Sequence, residues 1–168
     1  MNIMNVLEQI PVFNSLSEEE RLLLSSVSNI VEYKDNQTLF TQGDICENVL
    51  ILIDGIVSIY KHNSKGDEIV IGYFHRYAFL AEAAILKHIP VPSTARFHSD
   101  GAVLQIPLRK FERFLKEYPK LSYEVILSLL DKVELLQQNI HFNLASNSKE
   151  KVLNFYKKNS KLAVDLKR

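Results

Sequence analysis

The chain has 168 residues, 46% of them hydrophobic, and its 20 basic side chains balance its 20 acidic ones. This length supports one buried core with an appendage, and the zero net charge argues against a domain that holds nucleic acid by a basic surplus. Because Cys46 is the only cysteine, a disulfide or an all-cysteine metal site within the chain is excluded. We expect a reducing, cytoplasmic location, with neither a signal peptide nor the roughly 20 apolar residues of a membrane span.

Two short helices are predicted at the N-terminus. The first covers residues 5–10 and ends before Pro11, since proline cannot continue a helix. The second covers residues 18–26, where Ser17 provides an N-cap and the three acids that follow place negative charge at the positive end of the helix dipole. Both helices precede the β-rich part of the chain.

Between residues 30 and 107, short apolar runs alternate with turn residues. The predicted strands cover residues 30–33, 38–41, 48–53, 56–62, 68–74, 79–80, 93–98 and 102–106. Asp54-Gly55 lies between two of these runs and predicts a hairpin, because a type I′ turn needs positive φ at both central residues. Many short strands with frequent turns predict an antiparallel sandwich or roll.

The stretch from residue 79 to 97 interrupts the strands and predicts a ligand pocket. It combines a strand end, a helical turn at residues 82–86, a loop with two prolines and the hydroxyl pair Ser93-Thr94. A carboxylate, backbone N–H groups at a helix start and two hydroxyls in one small space suit a polar ligand. Arg96 joins this set because it shares a strand face with Thr94. The candidate ligand-binding residues are Leu80, Ala81, Glu82, Ala83, Ser93, Thr94 and Arg96.

These polar residues also have simpler explanations. Glu82 fits a purely structural role at the start of its helical turn, where a negative charge is favourable. Ser93 and Thr94 fit a role in which their hydroxyls only accept hydrogen bonds from loop N–H groups. The sequence leaves both explanations open.

Helical periodicity replaces the strand pattern after Pro107. We predict one helix over residues 108–118 and a longer one over residues 121–144. In the longer helix, apolar residues recur at spacings of three and four, which is the a/d pattern of a coiled coil. This pattern predicts a homodimer whose interface contains Ile126, Leu129, Val133, Leu136 and Ile140.

The longer helix also has a second apolar stripe. Tyr123, Leu127 and Leu130 form this stripe, which we expect to pack on the roll. The alternative to a dimer is one amphipathic helix buried on its own domain. Because the helix has two apolar faces, the dimer is the preferred interpretation.

Several segments together resemble the cyclic-nucleotide-binding fold as it is used in Crp/Fnr transcriptional regulators. The similarity is carried by residues 40–44, 49–60, 65–68, 82, 92–95 and 103–107, and by the spacing of Gly43, Gly55 and Gly66. The resemblance implies a mainly β fold with flanking helices (α+β). It is an antiparallel β-roll, or double-stranded jelly roll, with N-terminal helices, a ligand pocket at the 79–97 insert and a long C-terminal dimerisation helix.

The resemblance also implies a division of the chain. Residues 1–107 are expected to form the cyclic-nucleotide-binding-like β-roll with its N-terminal helices, and residues 108–146 the helices that include the dimerisation helix. Residues 147–156 resemble the first helix of the family's winged helix-turn-helix, so residues 147–168 are expected to be the start of a truncated DNA-binding domain. The implied partners are a second copy of the chain and DNA, the latter through a C-terminal reader domain absent from this chain, with no membrane partner.

The pocket departs from the pattern of family members that bind cyclic AMP or cyclic GMP. Those members have a Gly-Glu pair, and an arginine before a Ser/Thr-Ala pair neutralises the cyclic phosphate. Here the glutamate is kept, but Ala81 replaces the glycine, and Pro92 or Ser93 occupies the arginine position. A further family glycine is replaced by Tyr77 or Ala78. We therefore expect an unidentified small-molecule effector other than cyclic AMP.

Two alternatives share this fold. One is a haem or gas sensor, since His75, His88 and His98 flank the insert and a haem needs an axial ligand in an apolar cavity. The other is a ligand-free dimerisation or interaction module, since the alanines of the insert suit a filled pocket. Neither a cyclic nucleotide nor haem is favoured as the cofactor, and the single cysteine excludes an iron–sulfur sensor.

Enzymatic function is not predicted. The chain contains no nucleophile elbow, no P-loop, no His-Glu-x-x-His motif and no paired carboxylates in a predicted cleft. No metal site is predicted either. We therefore expect a non-enzymatic effector sensor that acts in transcription regulation.

Overall fold

The computed structural model describes residues 2–145, with the side chains of residues 2–134 and 137. The predicted start of a DNA-binding domain at residues 147–168 lies outside the described residues. The chain divides into two compact units, Met1–Glu124 and Val125–Arg168. The β-rich unit contains the predicted ligand site.

The two predicted N-terminal helices are present. Helix α1 covers Ile3–Gln9, a 3-10 turn follows at Pro11–Phe13, and α2 covers Glu18–Val27. The predicted cap at Ser17 is confirmed: its hydroxyl accepts a hydrogen bond from the backbone N–H of Glu20 at 3.2 Å, and its own N–H donates to the Glu20 carboxylate at 2.6 Å. This reciprocal capping box satisfies two N–H groups at the helix start.

Eight strands are present in the described residues. They are β1 Asn29–Tyr33, β2 Thr38–Phe40, β3 Asn48–Asp54, β4 Val57–His62, β5 Glu68–Phe74, β6 Phe79–Leu80, β7 Thr94–Phe97 and β8 Gly101–Pro107. They form two four-stranded antiparallel sheets, with strand orders β1-β8-β3-β6 and β2-β7-β4-β5. The predicted antiparallel β-roll with flanking helices is confirmed.

The predicted hairpin at Asp54-Gly55 is wrong. Strands β3 and β4, on either side of it, belong to different sheets, so the turn carries the chain from one sheet to the other. Gly55 has φ +87°, whereas Asp54 does not have the positive φ that a type I′ turn requires. Asp54 and Gly55 do form a turn, but whether the strands on either side of a turn pair with each other depends on the rest of the sheet.

The core between the sheets is apolar. Tyr33 of β1 stacks on Phe97 of β7, with ring centroids 4.8 Å apart and planes 9° apart. Phe97 lies opposite Val57, and Ala95 lies opposite Ile59, so these four side chains share the sheet face that meets β1. All four are buried, and burial of this kind contributes roughly 1.5–3 kcal/mol for each large side chain.

Two helices follow the last strand. Helix α4 covers Leu108–Glu117 and buries Leu108, Phe111 and Phe114. The ring of Phe111 lies 6.4 Å from that of Phe79 on β6, which fixes α4 beside the first residue of the predicted pocket. Helix α5 covers Pro119–Ala145.

Helix α5 leaves most of its described apolar side chains exposed. The exposed fractions of Ile126 and Val133 are 52% and 46%, and Leu129 is half-buried. The side chains of Leu136 and Ile140, also predicted for the dimer interface, lie outside the description. Tyr123, Leu127 and Leu130, which form the second predicted stripe, are exposed as well. Their packing on the roll stays a prediction. No helix in the described part of the chain is both long and apolar enough to span a bilayer.

Candidate functional site

The predicted pocket begins where β6 delivers the chain to a short helix. Leu80 pairs with Leu50 and Phe79 with Ile51, and both β6 side chains are buried. The helix that follows, α3, covers Glu82–Leu86. Its start is therefore held at the edge of the sheet that contains β3 and β8.

Ala81 has a left-handed backbone. Its φ is +54° and its ψ is +20°, and its carbonyl accepts hydrogen bonds from the N–H groups of Ala84 and Ile85, each at 3.0 Å. An L-residue with a Cβ is disfavoured in this conformation by about 1–2 kcal/mol, whereas glycine is not. The position at which the resemblance expects glycine thus has the geometry that glycine prefers, although alanine occupies it.

Tyr77 has the same kind of backbone, with φ +70°. Of the two residues considered for the place of the other family glycine, Tyr77 and not Ala78 has the positive φ that suits glycine. Its N–H donates to the carbonyl of Leu52 at 2.6 Å, and its hydroxyl donates to Gln9 at 2.9 Å. The guanidinium of Arg76 lies 5.0 Å from its ring centroid. These contacts offset the cost of a bulky residue at positive φ.

The residues of α3 divide between core and surface. Glu82 is half-buried in the first turn, Ala83 is exposed, and Ala84 and Ile85 are buried. A carboxylate in the first turn of a helix is favourable, so the structural explanation of Glu82 stays open beside a ligand contact.

Ser93 and Thr94 are both 7% exposed. The Thr94 hydroxyl accepts a hydrogen bond from the backbone N–H of Gln42 at 3.0 Å, which is the structural role that the sequence left open for it. The preceding loop is held by Val91, which donates to Asp44 and accepts from Gly43, both at 2.9 Å. The hydroxyl pair therefore lies in a firmly attached part of the insert.

The structure gives Arg96 a partner on the other face of the sheet. Thr94 and Arg96 lie opposite Tyr60 and Ser58, whose side chains face away from the stacked ring of Phe97. The two guanidinium Nη atoms of Arg96 donate to the Glu68 carboxylate at 3.0 and 2.5 Å. Arg96 thus shares a face with Thr94, as expected, and its guanidinium is paired with Glu68. Its contact with a ligand stays a prediction.

The hydrogen bond and charge of Arg96 lower the pKa of Glu68 below its ordinary 4.5, and those of Glu68 raise the pKa of Arg96. The sequence could have suggested this pair through strand alternation, but it required the register of β4, β5 and β7. Both groups are charged at neutral pH and are committed to each other.

Two of the histidines considered as haem ligands have side-chain partners. His88 is hydrogen-bonded to Glu112, with 2.8 Å between Nε2 and Oε1. The Nε2 atom of His98 lies 2.7 Å from the Ser58 hydroxyl, on the same sheet face as Arg96. In the described residues, no group of three or more His, Cys, Asp and Glu side chains is placed to hold a metal ion.

Cys46 lies outside the insert and is half-buried. Burial, together with the charge of Asp44, raises the pKa of its thiol. The thiol is therefore protonated at neutral pH, and a protonated thiol is a poor nucleophile.

The insert offers little positive charge to a phosphate. Between residues 79 and 95 the only lysine or arginine is Lys87, which is exposed at the C-terminal end of α3. A buried phosphate without a cation is poorly compensated. The arrangement therefore suits a ligand that needs hydrogen bonds and one carboxylate rather than a positive charge.

Comparison with protein families gives one match. The profile described as Cyclic nucleotide-binding domain matches residues 30–118. The matched region runs from β1 through the insert to the end of α4. It therefore contains strands β2 to β8, all of β1 except Asn29, and the whole predicted pocket.

The chain is also similar to a curated protein, the cAMP-dependent protein kinase regulatory subunit of Blastocladiella emersonii. The two are 28% identical over 109 residues, which is 65% of this chain and 27% of the relative. The chain thus spans about a quarter of that relative's length.

Solved structures share the fold. Thermus thermophilus Catabolite Activator Protein superposes with a TM-score of 0.66 at 17% identity, over 79% of this chain and 62% of that chain. The sensor domain of the transcriptional regulator DNR from Pseudomonas aeruginosa gives a TM-score of 0.64 at 22% identity, over 88% and 97%. At these identities the similarity establishes the fold alone.

Proposed function

The chain belongs to the cyclic nucleotide-binding domain family, and we propose that it is the ligand-sensing and dimerisation region of a Crp/Fnr-type transcription regulator. In this proposal the effector is a small molecule other than cyclic AMP. The observation that carries it is the insert itself: Ala81 keeps the left-handed geometry of the family glycine, while no arginine follows at Pro92 or Ser93.

The charged groups at the insert disfavour a cyclic phosphate as the effector. A cyclic phosphate carries a negative charge, and a guanidinium compensates such a group with two parallel hydrogen bonds. Arg96 already donates both Nη atoms to Glu68. Glu82, in the first turn of α3, adds a negative charge that disfavours a second anion. A neutral or cationic polar effector fits this site better.

The exposed apolar residues of α5 support the proposed dimer. Ile126 and Val133 are about half exposed and recur at the a/d spacing, so a second α5 packed along this seam would remove them from water. A ligand that changes the pairing of the two helices would change the position of the attached reader domain. This is the proposed signalling route. The regulators named above, of similar fold, support a reader for DNA outside this sensor region.

The remaining parts of the proposal follow from these. The protein works in the cytoplasm, where a transcription regulator meets DNA, and it has no catalytic activity of its own. The second candidate is a ligand-free dimerisation module. The burial of Ala84 and Ile85 favours it, because these side chains fill space beside the strands.

Native mass spectrometry of the purified protein separates these possibilities. A dimer with added mass is the expected result, and the added mass identifies the size of the effector. A dimer without added mass in every preparation supports the ligand-free module instead. A monomer contradicts the dimerisation proposal.

Calorimetric titration with cyclic AMP tests the effector directly. We expect the natural chain to bind it weakly, and Pro92→Arg to strengthen binding at least about tenfold by supplying the missing cation. Pro90→Arg, which adds the same charge to the same loop, is the control and leaves the affinity unchanged. Micromolar binding of cyclic AMP by the natural chain would contradict the proposed loss of nucleotide recognition.

A further inference from the structure

Two adjoining cavities lie at the opposite end of α3 from Glu82. One, of about 340 Å³, is lined by Tyr33, Leu39, Ile45, Cys46, Glu47, Asn48, Leu50 and Gln105. The other, of about 550 Å³, is lined by Ile45, Cys46, Glu47, Asn48, His88, Ile89, Pro107, Leu108 and Arg109. Residues 45–48 line both cavities, so the two adjoin along this segment, and together they are called the groove, with the smaller cavity as its inner part and the larger as its outer part. None of the predicted pocket residues lines either part.

Backbone hydrogen bonds hold the walls of this groove. The N–H of Leu108 donates to the carbonyl of Glu47 at 2.8 Å, which places residue 47 beside the start of α4. The N–H of Ile89 donates to the carbonyl of Ala84 at 3.0 Å, which fixes the end of α3 on the other side. The groove is thus already formed without a ligand, so little conformational entropy is lost on binding.

The outer part carries one uncompensated charge of each sign. Glu47 and Arg109 both line it, and neither forms an ion pair with another residue in the 2–145 range. The imidazole of His88, which also lines this part, is hydrogen-bonded to Glu112. Glu47 and Arg109 are both exposed, so a molecule in the outer part can reach a carboxylate and a guanidinium whose charges cancel.

The inner part is neutral and hydrogen-bonding. The Tyr33 hydroxyl accepts a hydrogen bond from the Gln105 side-chain amide at 3.3 Å, which leaves its own proton to donate. Burial raises the pKa of Tyr33 and of Cys46, so neither is charged at neutral pH. The side chains of Leu39 and Leu50 complete this part of the wall. It suits an uncharged side chain of moderate size.

We propose that this groove binds a free α-amino acid with an uncharged side chain. Its carboxylate pairs with Arg109, its ammonium pairs with Glu47, and its side chain enters the inner part beside Tyr33 and Gln105. Charge matching selects this class, because a nucleotide could pair its phosphate with Arg109 but would leave Glu47 without a cation, and a simple amine would leave Arg109 unpaired. The volume of the groove lies within the range of small-molecule sites.

Calorimetric titration of the natural chain with each of the common L-amino acids tests the proposal. We expect one or a few with uncharged side chains to bind, and the N-acetyl and the carboxamide derivatives of the best of them to bind at least about tenfold more weakly, because each removes one charge. No binding by any of them, equal binding of the derivatives, or a preference for charged side chains contradicts the proposal.

Two variants locate the site. Arg109→Gln and Glu47→Gln remove exposed charges, so both are expected to fold, and each should weaken binding of the selected amino acid at least about tenfold. Arg113→Gln is the matched control on the same helix and leaves the affinity unchanged. Equal affinity in all three variants contradicts the assignment of the groove.

Discussion

Arg96 and Glu68 are joined across the sheet by two hydrogen bonds, of 3.0 and 2.5 Å between the guanidinium and carboxylate. The same guanidinium lies 4.8 Å from the ring centroid of Tyr60. The guanidinium thus donates hydrogen bonds to the carboxylate from its edge and makes a cation–π contact with the aromatic ring through its face. Arg96, a candidate ligand-binding residue in the sequence analysis, links β7 to β5 through Glu68.

This pair predicts a pH-dependent contribution to stability. The pKa of Glu68 is below 4.5 in the folded chain, so its stabilisation is present above the unfolded value and is lost as the pH falls through the folded value. Glu68→Gln should therefore lower the melting temperature at pH 7, and the difference from the natural chain should shrink toward zero under acid conditions. Glu8→Gln serves as the control. A difference that persists at low pH would contradict the argument.

Gly55 and Gly66 predict unequal responses to the same substitution. Both have φ near +90°, but a Cβ at Gly55 would lie 2.9 Å from the Asp100 carbonyl oxygen, whereas nothing lies within 4 Å of one at Gly66. Gly66→Ala should cost about 1–2 kcal/mol through the backbone alone, and Gly55→Ala about 1–3 kcal/mol more through the clash. Urea unfolding measures both. Equal losses would show that the turn relaxes freely.

Ala81 predicts an unusual gain from glycine. Ala81→Gly relieves a left-handed alanine, worth about 1–2 kcal/mol, and this exceeds the roughly 0.5–1 kcal/mol entropic cost of glycine. Ala83→Gly, two residues later in α3, should only show that cost. In chemical denaturation, the free energy of unfolding of Ala81→Gly should therefore equal or exceed that of the natural chain, and that of Ala83→Gly should be lower. The reverse order would contradict the left-handed backbone at residue 81.

The exposed seam of α5 predicts a charge-sensitive dimer. Ile126→Lys and Val133→Lys place charges at a/d positions, where they would be buried without partners, so each should shift the protein to monomer in sedimentation equilibrium. Asp131→Lys lies on the opposite side of the same helix and should leave the dimer intact. Unchanged association in all three variants would contradict the proposal that α5 forms the dimer interface.

Much of the fold was accessible to sequence reasoning. Patterns within a few residues predict the Ser17 cap, the strand positions from Asn29 to Pro107 and the separation of α4 from α5. Such patterns depend on local rules of capping, alternation and turn chemistry. They predicted the antiparallel roll and its flanking helices.

The site was predicted less completely. The insert, its helix α3 and the buried hydroxyl pair are where the sequence placed them. The choice between Tyr77 and Ala78 needed the observed φ of +70°. The partner of Arg96 and the groove beside Glu47 needed strand register and loop packing, which no single segment contains.

The sequence by itself determined which segments are strands and helices, and that the insert lacks an arginine, because these depend on residue type and short-range spacing. Only the tertiary structure decided that Asp54-Gly55 joins two sheets, that Arg96 faces Glu68 and that Glu47 lies beside Leu108. The physical reason is that strand pairing and loop closure are chosen by the burial and hydrogen bonding of distant residues together. A local pattern limits those choices without selecting among them.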